Sequence, residues 1–229
     1  MSVSPRSWLA PLVALAAVLA GACASTPPAV DYPPLWPATL RASQPDGCPQ
    51  LSGAYDTRAT QAHPSGAGSP PRLDELFAPK GPGAGVFELR APNYQWPMLP
   101  GATTVTFDLQ GDALRIRLRD DASGEAALLF RRSRPVTVDR EAHGFFDCHA
   151  SEVGPALRFL GRPIERGGLP WLYGEKDQFI LTLFRGADGS LIVNRRVDRL
   201  VVTALLLGSQ VSTRSSAWWH YAPAEPSRP

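Results

Sequence analysis

Three thiols, four imidazoles and a scatter of hydroxyls and carboxylates are the groups in this 229-residue chain able to do covalent or proton-transfer chemistry. Cys148 and His149 are neighbours in sequence, an arrangement that would suit a metal ligand or a catalytic thiol. Neither a Cys-x-x-Cys pair nor two histidines at i, i+4 accompanies them. His63, His143, His149 and His220 are not spaced as metal ligands, so they read as surface or structural residues, with no metal and no cofactor expected. Ser65, Ser190 and Ser209 lie near glycines, but none has the Gly-x-Ser-x-Gly frame of a nucleophile elbow. Asp188-Gly-Ser190 reads as a turn, because Asp-Gly suits type I′ geometry. No two carboxylates suggest an acid/base pair, and no glycine-rich loop precedes a helix. An enzyme is therefore the least supported class.

Two non-covalent chemistries are stronger candidates. Arg115, Arg117 and Arg119 alternate along one segment and form a basic stripe. Guanidinium groups bind carboxylates and phosphates bidentately, so the stripe is a candidate contact for anionic headgroups or cell-wall carboxylates. The plainer reading is a solvated sheet face. Trp96, Trp171 and Tyr173 are candidate ligand contacts, the last two within a proline- and glycine-flanked loop. Loops on a rigid scaffold commonly carry binding residues.

Cys23 has a different chemistry. A short start with one positive charge, Arg6, leads into the apolar run Leu12–Leu19 and then Ala20-Gly21-Ala22-Cys23. That is the grammar of a cleaved export signal. The small residues before the cysteine resemble the lipobox of bacterial lipoproteins, with Leu19 one place earlier than usual. Residues 1–22 are read as the signal peptide and Cys23 as the diacylglycerol-modified N-terminus. Ala24, where an inner-membrane retention signal would resemble Asp, points to the outer membrane. The apolar run is too short to span a bilayer, which takes about 20 residues. An exported chain folds in an oxidising compartment, so the two remaining thiols, Cys48 and Cys148, are expected to form a disulfide.

These groups need elements to hold them. Residues 23–46 carry prolines 27, 28, 33, 34, 37 and 45 and read as a tether, with Tyr32, Leu35 and Trp36 able to dock part of it on the domain. The β-domain is assigned to 47–223 and a tail to 224–229. Residues 56–71 read as a loop, and Arg72–Phe77 as the one helix candidate, with Leu73, Leu76 and Phe77 on a shared face. From residue 104 the hydrophobic period is two. Val105, Phe107 and Leu109, then Leu114, Ile116 and Leu118, predict a hairpin with one buried and one wet face. Further strands are expected at 126–130, 135–138, 145–148, 156–160, 178–184, 190–194, 200–207 and 217–221. Many short strands with turn signals between them predict a mainly β fold: an antiparallel meander closed as a lipocalin-like barrel or a strongly curved sheet, with a β-sandwich as the alternative.

Cys48-Pro-Gln-Leu-Ser-Gly-Ala-Tyr55, Phe146-Asp-Cys148, Ala187-Asp-Gly-Ser-Leu191 and Trp218-Trp219, in this order, resemble a group of uncharacterised bacterial outer-membrane lipoproteins. The resemblance implies a β-domain and an envelope address, and brings no catalytic residues. With 23 basic against 21 acidic groups, the chain lacks the charge footprint of a nucleic-acid binder. The expected partners are the membrane, through the N-terminal lipid, and either an envelope protein or an apolar ligand. The expected function is an anchored, non-enzymatic domain serving envelope structure or partner binding. A carrier of lipid or another small apolar molecule is the alternative.

Overall fold

The computed structural model describes residues 31–41, 47–65, 69–77, 101–120, 124–132, 144–160, 164–167, 174–203 and 208–225. They form β1 (Gly53–His63), β2 (Thr104–Gln110), β3 (Ala113–Asp120), β4 (Gly124–Arg132), β5 (Gly144–Ala150), β6 (Pro155–Leu160), β7 (Ile164–Gly167), β8 (Gly174–Arg185), β9 (Leu191–Thr203) and β10 (Gly208–Pro223).

The strands hydrogen-bond in the order β6-β5-β4-β3-β2-β1-β10-β9-β8-β7, and β6 also pairs with β8. That extra pairing closes a nine-stranded barrel and rules out the sandwich. β6 takes Ile180–Leu183 of β8, while β7 continues along Gly174–Asp177, so β6 and β7 act as one interrupted strand. A closed ring with an odd number of strands cannot be antiparallel throughout. The parallel contact lies between β4 and β5, where Phe130 meets Gly144 and Arg132 meets Phe146. The meander expectation is corrected at this one joint.

The β2–β3 hairpin has the predicted register: Val105 faces Leu118, Phe107 faces Ile116 and Leu109 faces Leu114. These six side chains are all buried. The Asp-Gly signal likewise forms the β8–β9 turn, closed by Gly186 N–H to Ser190 O at 2.9 Å, with Gly189 at φ 85°.

Three expectations are corrected. Residues 56–63 belong to β1, not to a loop, and pair with β10 across two register shifts. Residues 200–203 are not the start of a separate strand, since β9 runs without a break from Leu191 to Thr203, and 204–207 lie outside the described residues. The charged middle of β9 is neutralised within the sheet, by Arg196–Asp198 (3.2 Å), Arg214–Asp198 (2.9 Å) and Arg199–Asp177 (2.9 Å). Arg72–Phe77 makes only a turn and a 3-10 segment, Glu75–Phe77. The expected strand at 135–138 lies outside the described residues.

That 3-10 segment packs inside the barrel. Leu73, Leu76 and Phe77 are buried with the inward side chains. The Phe77 ring lies 5.8 Å from Phe107, 6.2 Å from Phe130 and 5.9 Å from Phe159, which come from β2, β4 and β6. The segment is pinned by Leu73 N–H to Thr57 O (2.8 Å) and by the Tyr221 hydroxyl to Pro71 O (2.9 Å). Edge-to-face ring pairs at this spacing add to the gain from burial, which is roughly 1.5–3 kcal/mol per large apolar side chain. The Cys48–Cys148 disulfide forms, with Cα atoms 4.9 Å apart. It ties the chain just ahead of β1 to β5.

Candidate functional site

The prolines of residues 32–41 do not prevent docking. The segment turns once at Pro33–Trp36 and lies as a strap on the outside of the barrel. Leu40 N–H donates to Arg185 O and Ala187 N–H to Ala38 O, both at 2.7 Å, on either side of a Thr39–Gly186 bridge. The Thr39 hydroxyl donates to Val153 O. A Cβ at Gly154 would lie 2.6 Å from that hydroxyl, and Gly154 has φ +148°, so the contact requires glycine. Tyr32 packs edge-on against Trp218 at 5.3 Å, and Trp36 against His220 at 5.7 Å. With Ala156, Phe184 and Ile192 these rings make a second apolar cluster, outside the barrel.

Under the strap lies a polar cluster that local sequence reading divides among three distant segments. Asp188 Oδ1 accepts from the Ser190 N–H (3.0 Å) and the Ser190 hydroxyl (2.5 Å). His220 Nε2 lies 3.3 Å from Asp188 Oδ2, and its Nδ1 lies 2.7 Å from the Thr60 hydroxyl. A carboxylate only accepts, so Nε2 donates to Asp188, while the Thr60 hydroxyl stands between Nδ1 and the His220 carbonyl oxygen, to which it donates at 3.1 Å. Burial alone would raise the Asp188 carboxyl. The Ser190 hydroxyl and N–H together with His220 outweigh it and hold the group below the usual carboxylate range. The Tyr32 hydroxyl is pushed up to about 12, first by burial and then by the negative charge of Asp188.

Chemically, Ser190 is no nucleophile here: it is fully buried, and its proton goes to Asp188 rather than to an imidazole. Thr60, His220 and Asp188 do stand in the order hydroxyl, imidazole, carboxylate. Thr60 is the extra residue of a bulge, between Ala59 opposite Tyr221 and Gln61 opposite His220. The nearby cleft of about 540 Å³ is lined by strap residues and the β5–β6 turn, with Thr60 outside it. What the cluster does in this geometry is lock β1, β10 and the β8–β9 turn together beneath Trp36.

The raised Tyr32 phenol couples strap docking to pH. A phenol whose folded value lies above its unfolded value of about 10 stabilises docking below that pH and loses the contribution as pH rises toward 12. Asp188 acts at the other end of the scale. Its depressed carboxyl contributes above its unfolded value of about 3.9, and the contribution is lost as pH falls. The tyrosinate absorbance of wild type minus Tyr32→Phe is expected to titrate near pH 12. A difference spectrum titrating near pH 10 would contradict a docked Tyr32.

The arginine stripe faces out, as expected, but is partly answered across the sheet. Arg115 stands opposite Asp108, and Arg119 opposite Glu125. Arg117 stands between Thr106 and Ala127, and its buried Nε has no partner. Trp96, Trp171 and Tyr173 lie outside the described residues, as does Cys23. Among the described residues no group of three or more His, Cys, Asp or Glu could hold a metal ion, and no helix is long and apolar enough to cross a membrane. Compared with protein-family models, curated proteins and solved structures, the chain finds no match.

Proposed function

We propose that this chain is a lipid-anchored outer-membrane protein whose periplasm-facing barrel is a solid scaffold, serving envelope structure or partner binding without catalysis. The carrying observation is the interior packing at Phe77, whose ring sits among the inward rings of three strands. The disulfide supports an oxidising compartment. The barrel's polarity also supports a domain beside the bilayer rather than through it. Apolar residues point in, while Asp108, Arg115, Arg117 and Arg119 point out, the reverse of a lipid-facing strand band. The docked strap supports a domain held close to an anchor at Cys23, because Cys23 and Tyr32 can be at most about 30 Å apart along the chain.

The carrier reading keeps one observation in its favour. Toward the end of the barrel away from Leu191, the inward positions of β9 turn polar, with Arg195 over the Phe179 ring at 5.5 Å and Arg199 on Asp177. The Arg195 Nε has no partner, and a carboxylate-headed apolar ligand would satisfy it.

One set of measurements tests both. Acyl labelling is expected on the wild type and absent from Cys23→Ser, which should leave the membrane fraction. Titration with fatty-acyl probes is expected to give no saturable change in tryptophan fluorescence. Membrane retention of Cys23→Ser without label would overturn the anchor. A saturable response that Arg195→Ala abolishes would replace the scaffold with the carrier.

A further inference from the structure

We propose that the Pro33–Trp36 turn of the strap is a membrane-docking tip, which seats Leu35 in the interface of the bilayer holding the Cys23 lipid. The proposal rests on the anchoring read from residues 1–23. The turn is closed by Trp36 N–H to Pro33 O at 3.1 Å. Pro33 is buried and Trp36 half-buried, so the root of the turn is fixed to the barrel. Its apex, Pro34 and Leu35, stands in solvent, and Leu35 is 95% exposed.

Single exposed apolar side chains are common on protein surfaces and by themselves mean little. Two features set this one apart. It is held out on a turn tied to the barrel by aromatic packing and two backbone hydrogen bonds, whereas a free tether would let a leucine fold back. It also stands twelve residues from Cys23, so the tip stays within about 40 Å of the anchor at full extension.

The charges around the turn define the kind of contact. Arg41 lies along the cleft behind it, but so do Asp31 and Glu152. The surface is mixed rather than cationic, so the contact is apolar and insensitive to anionic lipid and to salt. Burying one leucine side chain multiplies the docked population by roughly tenfold or more. That is enough here, because the lipid has already brought the domain to the surface and docking is an intramolecular step. The barrel would then stand with its β8–β9 turn toward the membrane.

The experiment uses the full lipidated chain in phosphatidylethanolamine vesicles, with and without phosphatidylglycerol. A spin label is placed at Pro34→Cys, beside Leu35 on the apex of the turn, and in a separate sample at Glu125→Cys on the exposed start of β4. With Cys23 acylated and Cys48–Cys148 oxidised, the introduced thiol is the reactive one. The label at 34 is expected to be several-fold less accessible to a water-soluble relaxing agent than the label at 125, and equally so in both lipid mixtures. Leu35→Asp, read by the same label at 34, is expected to cut the docked population about tenfold. An acylated protein whose position 34 is as water-accessible as 125 overturns the docking and leaves the anchor standing. Protection at 34 that persists without vesicles assigns the tip to a protein contact and also overturns it. An unacylated Cys23 overturns anchor and docking together.

Discussion

Breaking the Cys48–Cys148 bond is expected to cost roughly 4–5 kcal/mol in the chain-entropy model, and in practice somewhat less. The size follows from the loop it closes, a sequence separation of 100 residues. In the unfolded chain that cross-link removes a large share of the conformations available to β1 through β5. In the folded barrel it ties the segment just ahead of β1 to β5, across β2, β3 and β4. Cys48 and Leu51 are fully buried, so the segment carrying the bond closes over the core rather than hanging from it. Against a total stability of about 5–15 kcal/mol for an ordinary domain, the loss brings the reduced protein near unfolding. Denaturant midpoints of wild type and of the double variant Cys48→Ala/Cys148→Ala measure it. A difference within about 1 kcal/mol would mean that the bond closes no loop the native state relies on.

The fold was legible where one strand's own alternation decides the answer. β2 and β3 have apolar and polar residues in strict turn, and their register follows from that pattern alone. It was illegible where a long-range partner decides. Ala59 and Gln61 look like loop residues until β10 lies beside them, and the register shifts between Tyr55 and Ala59 and at Thr60 break the alternation that would have marked the strand. The middle of β9 falls between two separate strand expectations because its charges find their partners across the sheet, Arg199 on Asp177 of β8 and Asp198 on Arg214 of β10. The parallel β4–β5 contact is a property of the ring: nine strands force it, and no single strand signals it.

The candidate site divides the same way. Tyr32 and Trp36 announced a partly docked tether by their types. Asp188 announced a turn, and it makes one. Nothing near Asp188, however, predicts His220, and nothing near His220 predicts Thr60, 160 residues away. The pairing needs β1 and β10 to be neighbours and a bulge to put Thr60 opposite the imidazole. The outward arginines were legible as a stripe. Their cross-strand carboxylates, Asp108 and Glu125, were legible only once the register was known.

Phe77→Ala is expected to be the most informative substitution in the core. Deleting a buried phenylalanine typically costs about 3–5 kcal/mol, part from lost transfer energy and part from the cavity left behind. Phe77 sits where that cavity cannot easily collapse. Its neighbours Phe107, Phe130 and Phe159 are held by strands of a closed ring, and the ring cannot contract without breaking ladder hydrogen bonds. The cost should therefore fall at the upper end of the range. The space left is lined by rings and leucines, and an apolar cavity of that kind stays dry and accepts small apolar molecules. The variant should then gain saturable binding of benzene-sized probes that the wild type lacks, and the ligand should return part of the lost stability by mass action. Unfolding midpoints with and without probe, in both proteins, are the measurement. If wild type binds the probe as tightly as the variant, the lumen already has room and the scaffold reading gives way to the carrier. If the variant loses less than about 1 kcal/mol and binds nothing, Phe77 does not hold the strands apart. In that case the solidity of the barrel would have to come from the inward side chains of the strands alone.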